Sequence, residues 1–461
     1  MELRRFLRKL EEEGELRRIA EPVDPEHEIG AVCFMELRRG IHRNQALWFE
    51  RVRGSSAPLV VNLLASPKRF FSALGLPSGG EWHRFWLERT SRPIDPVLVE
   101  RAPCQEAAGG SSKLSELPIP LWNEKDGGRY LTMPCVISRD PETNQRNCGI
   151  YRMMLHEDGA GAGILAPPYR HLAAHLAKSF ARGEALPVAV ALGVAPAVLI
   201  AAATDFPCGV DEIAMAGALQ GAPVEMVPCR TIPLEVPAAA EVVLEGTIAP
   251  GDEKAEGPFG EFTGYYSSGP ALRPVLRIGC VTHRKDPVVV GSYVGRPPQE
   301  NSLLNAQLTA VEVIRQCPLP GIRDLHLDPS GVFNAVVSVR RSCADGARSL
   351  ARAILSTQAG RRIKTLVIVG EEIDPRDPDQ VSRALAYGVR PDRDVEIVGG
   401  MPGVCVDPSL PDEERLGGTN RTSKMIIDAT RAGRLSPVEE CLPRQDVLKR
   451  VERNWRRYGG H

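Results

Sequence analysis

What this chain of 461 residues lacks narrows its class first. Its 11 cysteines are scattered and form no CxxC pair. That argues against a zinc ribbon, a thioredoxin-type site or a disulfide framework, and points to a reducing compartment. An excess of charge of one sign is also missing: 57 Lys plus Arg face 58 Asp plus Glu, a formal net charge of -1. A general nucleic-acid binder needs a basic excess, and nothing here draws the chain to a membrane electrostatically. No apolar run suits a membrane span. The longest, LPVAVALGVAPAVLIAAA from Leu186, is broken by Gly193 and Pro196 and predicts two buried strands. The opening MELRRFLRKLEEEGELRRI has no signal-peptide core. It predicts a charged amphipathic helix with Leu3, Phe6, Leu7 and Leu10 on one stripe, and a cytoplasmic location is expected. There is no GxGxxG after a strand, no P-loop and no GxSxG elbow. Aromatics make up only 5% of residues, which says nothing about any ligand.

What is present is an ordinary globular composition, 43% apolar and 25% charged, long enough for two or three domains. Periodicity predicts helices over 2–13 and 26–39 and a strand from Leu59 to Leu64. A linker-like stretch, APCQEAAGGSSKLSELPIPLWNEKDGG, follows from Ala102 and reads as a boundary. Short apolar runs then predict strands at Met133–Ser138, Leu186–Val194, Ala240–Leu244, Val275–Val281 and Val288–Val294, with a helix inserted at about 168–182 and closed by Gly183. A helix over Asn301–Gln316 leads into alternating strand and helix patterns, the mark of an α/β unit. The expected divisions are 1–110, 111–300, 301–330 and 331–461.

Four stretches carry residues suited to chemistry. EGPFGE places Glu256 and Glu261 five apart, a spacing that shares no face on a helix or strand. Gly257, Pro258 and Gly260 make it a shaped loop holding two acids. NCGIYR offers the neutral oxygen of Asn147 and the planar donor fork of Arg152, which share a face only if the strand bends. PPYRHLAAHL puts His171 and His175 four apart on a helix, without the Glu of a zinc-protease motif. DEIAMAGALQG opens a helix on Asp211 and Glu212, where acids ordinarily serve as caps. Singly, each has an ordinary structural reading, as does Lys424 in SKMIIDATR.

In this order, and with LRRFLRKLEEEGELRRI, VVNLLASPKRFFSALGL, GRPPQE and VIVGEEIDPRDPDQVSRALAYGVRPDRD around them, the motifs resemble the UbiD family of prenylated-FMN-dependent decarboxylases over nearly the whole chain. The resemblance implies a mixed α/β fold: an N-terminal α/β portion, a split β-barrel for the flavin, a connecting helix and a C-terminal α/β oligomerisation domain. It implies a metal site of Asn147, His171 and Glu212 holding Mn²⁺ or Mg²⁺ against the flavin phosphate, a K⁺ ion, and cofactor contacts from Ile150, Arg152 and Lys424. The implied catalytic trio is Glu256, Arg152 and Glu261, with Glu261 the proton donor. The implied reaction is non-oxidative, reversible decarboxylation of an aromatic, heteroaromatic or α,β-unsaturated acid through a covalent flavin–substrate adduct. A phosphorylated alkenoic acid of isoprenoid metabolism and a non-catalytic binding subunit are the alternatives. Implied partners are the acid, CO₂, a flavin prenyltransferase as cofactor supplier, and further copies in a homodimer or homohexamer. Tyr169 and Arg170, just before His171, depart from the residues relatives often carry.

Overall fold

The computed structural model describes residues 1–458 apart from 78, 157–158, 160, 268, 417–419 and 432–440. Helix Leu3–Glu12 buries Leu3, Phe6, Leu7 and Leu10, the stripe expected from their spacing. It packs on one face of a four-stranded sheet ordered Leu16–Ile19, Ala46–Phe49, Leu59–Val61 and Val289–Gly291. Helix Glu28–Leu37 covers the other face, against Leu47, Phe49, Leu59 and Val61. The apolar run around Val289 therefore leaves the β-rich middle and pairs in parallel with Leu59–Val61.

The central sheet has nine strands, built around a long hairpin of Val242–Glu256 and Ala271–His283. Along its path the strands run Tyr130–Leu131, Met153–Leu155, Gly161–Ile164, the two hairpin arms, Leu186–Leu192, Cys135–Arg139 and Arg146–Ile150. Arg146–Ile150 sits at one edge, yet Met153–Leu155 lies next to the opposite edge, and only Tyr151 and Arg152 join them. Two intervening residues allow at most about 11 Å between Ile150 and Met153, so the sheet has to curl until its edges nearly meet. Alternation along Leu186–Leu192 follows: Val188, Val190 and Leu192 fill the interior, while Ala189 and Ala191 face outward onto helices. One of those helices is Pro196–Ala203, so PAVLIAAA is not the second buried strand its apolarity predicts. Pro at the first turn and a run of alanines favour helix, and seven of its eight residues are buried, which hides any helical period. Among the described residues no helix is long and apolar enough to cross a membrane. All 11 cysteines are unpaired.

The C-terminal sheet runs Ile322–Leu327, Asn334–Val339, Thr365–Gly370, Arg421–Ala429 and Val395–Pro402, with helices Ala347–Ser356 and Pro378–Gly388 between strands. Helix Glu300–Gln316 joins the two cores, burying Leu303 and Val311 in one and Ala306 and Val313 in the other. Its N-terminus is secured by the Gln299 side chain, which accepts from Asn301 N at 2.6 Å. Glu300 Oε1 accepts from Leu64 N at 2.5 Å, tying the helix to the N-terminal portion.

Glu300 is fully buried and burial pushes its carboxyl up to about 7. A folded-state value above the ordinary one means that stability falls as pH rises from about 4.5 through 7. Glu300→Gln keeps the bond from Leu64 and has no charge to bury. Above pH 7 it should gain about 3 kcal/mol over the native chain, with no difference below pH 4, in urea unfolding measured across pH.

Candidate active site

Arg152 occupies the split of the barrel. The chain leaves the strand at Ile150, bends through Tyr151 and Arg152, and re-enters the sheet at Met153. That is the bend which Asn147 and Arg152 need to serve one site. Glu256 is the last residue of a hairpin arm rather than part of a loop. The arm is longer than the Ala240–Leu244 run suggests because register shifts between Ile248 and Glu253 absorb Pro250 and Gly251. Arg152 donates to Glu256 through Nε (3.1 Å to Oε1) and Nη2 (3.3 Å to Oε2), and its Nη1 donates to Glu261 Oε1. Both glutamates are buried. Burial draws the guanidinium down, but Glu261 and Glu256 outweigh it and hold Arg152 above its ordinary range.

The loop from Gly257 is held from beneath by the stretch that reads as a linker in the sequence. Asp126 Oδ1 accepts from Gly260 N at 2.8 Å and Oδ2 from Asn123 N at 3.0 Å, while Gly127 N donates to Pro258 O at 2.8 Å. Burial pushes the Asp126 carboxyl up to about 6 against the pull of those N–H groups. Phe259 sits under the Arg152 guanidinium, 4.8 Å from its carbon, and against the Tyr130 ring at 4.4 Å. Ser267 Oγ donates to Glu261 Oε1 at 3.2 Å. Asp126, Tyr130 and Ser267 have no signal in the sequence. Their roles arise from contacts across up to 134 positions of chain.

Asn147, His171 and Glu212 converge on a small cavity of about 20 Å³. His171 opens helix His171–Ala181 and its Nδ1 lies 3.4 Å from Glu212 Oε1. Glu212 opens a second helix, Glu212–Gln220; its Oε2 accepts from Cys148 N at 2.9 Å, and Asp211 caps that helix by accepting from Ile213 N at 2.9 Å. Asn147 is buried and its amide nitrogen has no partner among the described residues. With its amide turned so that the oxygen faces the cavity, Asn147 beside an imidazole and a carboxylate makes a donor set that fits a divalent ion of the Mn²⁺ or Mg²⁺ kind. His175 does not join them: its Nδ1 pairs with Ser138 Oγ at 2.9 Å, and burial pushes it down to about 4.

A second cleft, about 220 Å³, shares Tyr151, Tyr169 and Arg170 with the first. Ile150, Arg152, Phe259 and Glu261 form its floor, and Asn301 and Asn305 line it from the connecting helix. Arg362, Cys405 and Val406 of the C-terminal sheet region close it. Lys424 lines neither cavity. It is buried and its Nζ donates to Gly360 O at 2.8 Å, behind the turn that carries Arg362.

Gly127 lies so close to the loop that a Cβ there would meet Gly257 O at 2.1 Å. Gly127→Ala should therefore shift the loop and loosen the Arg152–Glu261 contact. The expected result is a native-like circular dichroism spectrum with a displaced loop in a crystal structure. An unmoved loop would show that the approach is not a constraint.

Three family models match: the N-terminal, Rift-related and C-terminal domains of 3-octaprenyl-4-hydroxybenzoate carboxy-lyase (UbiD), over residues 7–88, 97–297 and 303–429. An uncharacterised protein of Archaeoglobus fulgidus is 33% identical, covering 97% of this chain and 95% of its own. Among solved structures, an evolved dimeric form of the UbiD-class enzyme HmfF from Pelotomaculum thermopropionicum, in complex with prFMN, is 32% identical with a TM-score of 0.84, over 97% of this chain and 98% of that one. The vanillic acid decarboxylase of Sedimentibacter hydroxybenzoicus in closed form is 32% identical with a TM-score of 0.86, over 100% and 99%. With matching models over all three of its parts and relatives along its full length, this chain belongs to the UbiD family of carboxy-lyases.

Proposed function

We propose that the protein is a prenylated-FMN-dependent, non-oxidative and reversible decarboxylase of an aromatic, heteroaromatic or α,β-unsaturated carboxylic acid. The observation that carries this reading is a largely buried Arg152 shared by Glu256 and Glu261 on the floor of a cleft adjoining Asn147, His171 and Glu212. When bound, prenylated FMN supplies the electron sink that removal of CO₂ from an sp² carbon requires. Asn147, His171 and Glu212 would hold Mn²⁺ or Mg²⁺ at the phosphate end, and Ile150 would contact the flavin. Lys424 acts at one remove, by holding the turn that presents Arg362.

Arg152 orients the substrate carboxylate, and Glu256 fixes Arg152 through two of its nitrogens. Glu261 is the group placed to deliver a proton, because it lines the cleft, whereas Glu256 does not line it. Glu261 then gives that proton to the carbon that held CO₂, with the loop fixing its direction. An aromatic or heteroaromatic acid suits walls made of Ile150, Leu165, Phe259, Phe262, Val294 and Leu304. A phosphorylated acid is less well supported, since Arg170 and Arg362 are both engaged by Asp205.

The test is production together with a flavin prenyltransferase, followed by absorption and mass spectra, metal analysis and CO₂ release from a panel of aryl and alkenyl acids. Bound prenylated FMN with a divalent metal is expected; a folded protein that takes up no flavin would support a binding subunit instead. Glu261→Gln should retain the cofactor spectrum and lose turnover by at least about 10²-fold, and full activity would remove Glu261 as proton donor. His171→Ala should lose the metal, whereas native metal content would remove that ligand.

A further inference from the structure

Tyr169 and Arg170, the two departures in the sequence, sit where the C-terminal domain meets the cleft. Arg170 Nη1 donates to Asp205 Oδ1, and Arg362 Nη2 donates to Asp205 Oδ2 at 2.6 Å. Asp205 lies just after helix Pro196–Ala203 of the central domain, and Arg362 ends the C-terminal turn Ala359–Arg362. A single carboxylate thus holds guanidiniums from two domains. Next to it, the Arg361 guanidinium lies 5.1 Å from the Tyr169 ring centre, and the Tyr169 hydroxyl contacts the Cys405 thiol. Behind the turn, Lys424 fixes Gly360 O, so the turn moves with its own sheet. All three charged side chains are less than a quarter exposed, which keeps their interaction from being screened away.

We infer that Asp205 is a positioning residue: by neutralising Arg170 and Arg362 together, it clamps the C-terminal wall of the cleft over Arg152 and Glu261. The clamp depends on charge more than on hydrogen-bond number. Without the carboxylate, Arg170 and Arg362 face each other as like charges, and an attractive contact between domains becomes a repulsive one. The wall it sets, Arg362, Cys405 and Val406, excludes water and fixes the cleft's width. The importance of that wall for turnover rests on the function proposed above; the clamp itself does not.

The experiment is a pulsed electron-resonance distance measurement on the full chain, with spin labels on non-canonical residues at Glu184 and Tyr387, both exposed. The native chain should give one short-distance population. Asp205→Asn should raise the ratio of open to closed populations at least about tenfold. Arg362→Gln should open the chain less, and the double variant D205N/R362Q should resemble R362Q, because removing one cation also removes the repulsion. Asp205→Glu should restore most of the closed population. An unchanged distribution in D205N, or a double variant as open as D205N, would overturn the clamp. Should D205N fail to fold, an unchanged distribution in R362Q would overturn it equally. These distances need neither flavin nor substrate, so failure to bind flavin would sink the proposed function and leave this inference standing.

Discussion

The site depends on a guanidinium withdrawn from water at the one place where the barrel does not close. Burying Arg152 alone would cost several kcal/mol, and Glu256 and Glu261 offset that cost by charge and by three hydrogen bonds. Each of the three arrives by a different route. The split of the barrel supplies Arg152, the end of the long hairpin supplies Glu256, and the turn beyond it supplies Glu261. Their geometry is only as good as the fit of those routes. This is why Asp126 and Gly127, neither of which touches Arg152 in a hydrogen bond, matter by fixing the backbone of Gly260 and Pro258.

The strand that carries Asn147 ends at Ile150, two residues before Arg152, so the two parts of the site are joined by one short stretch of chain. Asn147 points its unpartnered amide to the side where helices starting at His171 and Glu212 converge. Both helices present their first residues, which lets short side chains reach a common point without crossing the barrel wall. The C-terminal domain then adds Arg362, Cys405 and Val406 from above. The cleft is thus a joint product of two domains, and the connecting helix, buried in both cores, sets how they face each other.

Much of the fold was legible where a local period survives. The stripe of Leu3, Phe6, Leu7 and Leu10 and the alternation of strand and helix after Asn334 correspond to the elements found. Legibility failed where burial is complete. Pro196–Ala203 carries no polar face to betray its helical period, and Val289–Gly291 bears nothing to say which of two sheets it will join. It failed also where irregularity interrupts an element: Pro250 and Gly251 hide the strand that delivers Glu256. The residues 102–128 have the composition of a linker, yet Leu114, Ile119 and Trp122 are buried in the same core as Phe259.

The sequence by itself determined which residue types were available and in what order: an amide and a guanidinium on one short stretch, an imidazole and an acid opening two helices, and two acids flanking Gly-Pro-Phe-Gly. Local chemistry sufficed for that, since helix starts and tight turns are written in adjacent residues. Only the tertiary structure decided that Arg152 stands between both acids, that His175 turns to Ser138 while His171 turns to Glu212, and that Asp205 joins two domains. Those choices depend on how a curled sheet brings its edges together, a constraint carried by long-range pairing that no neighbouring residues encode.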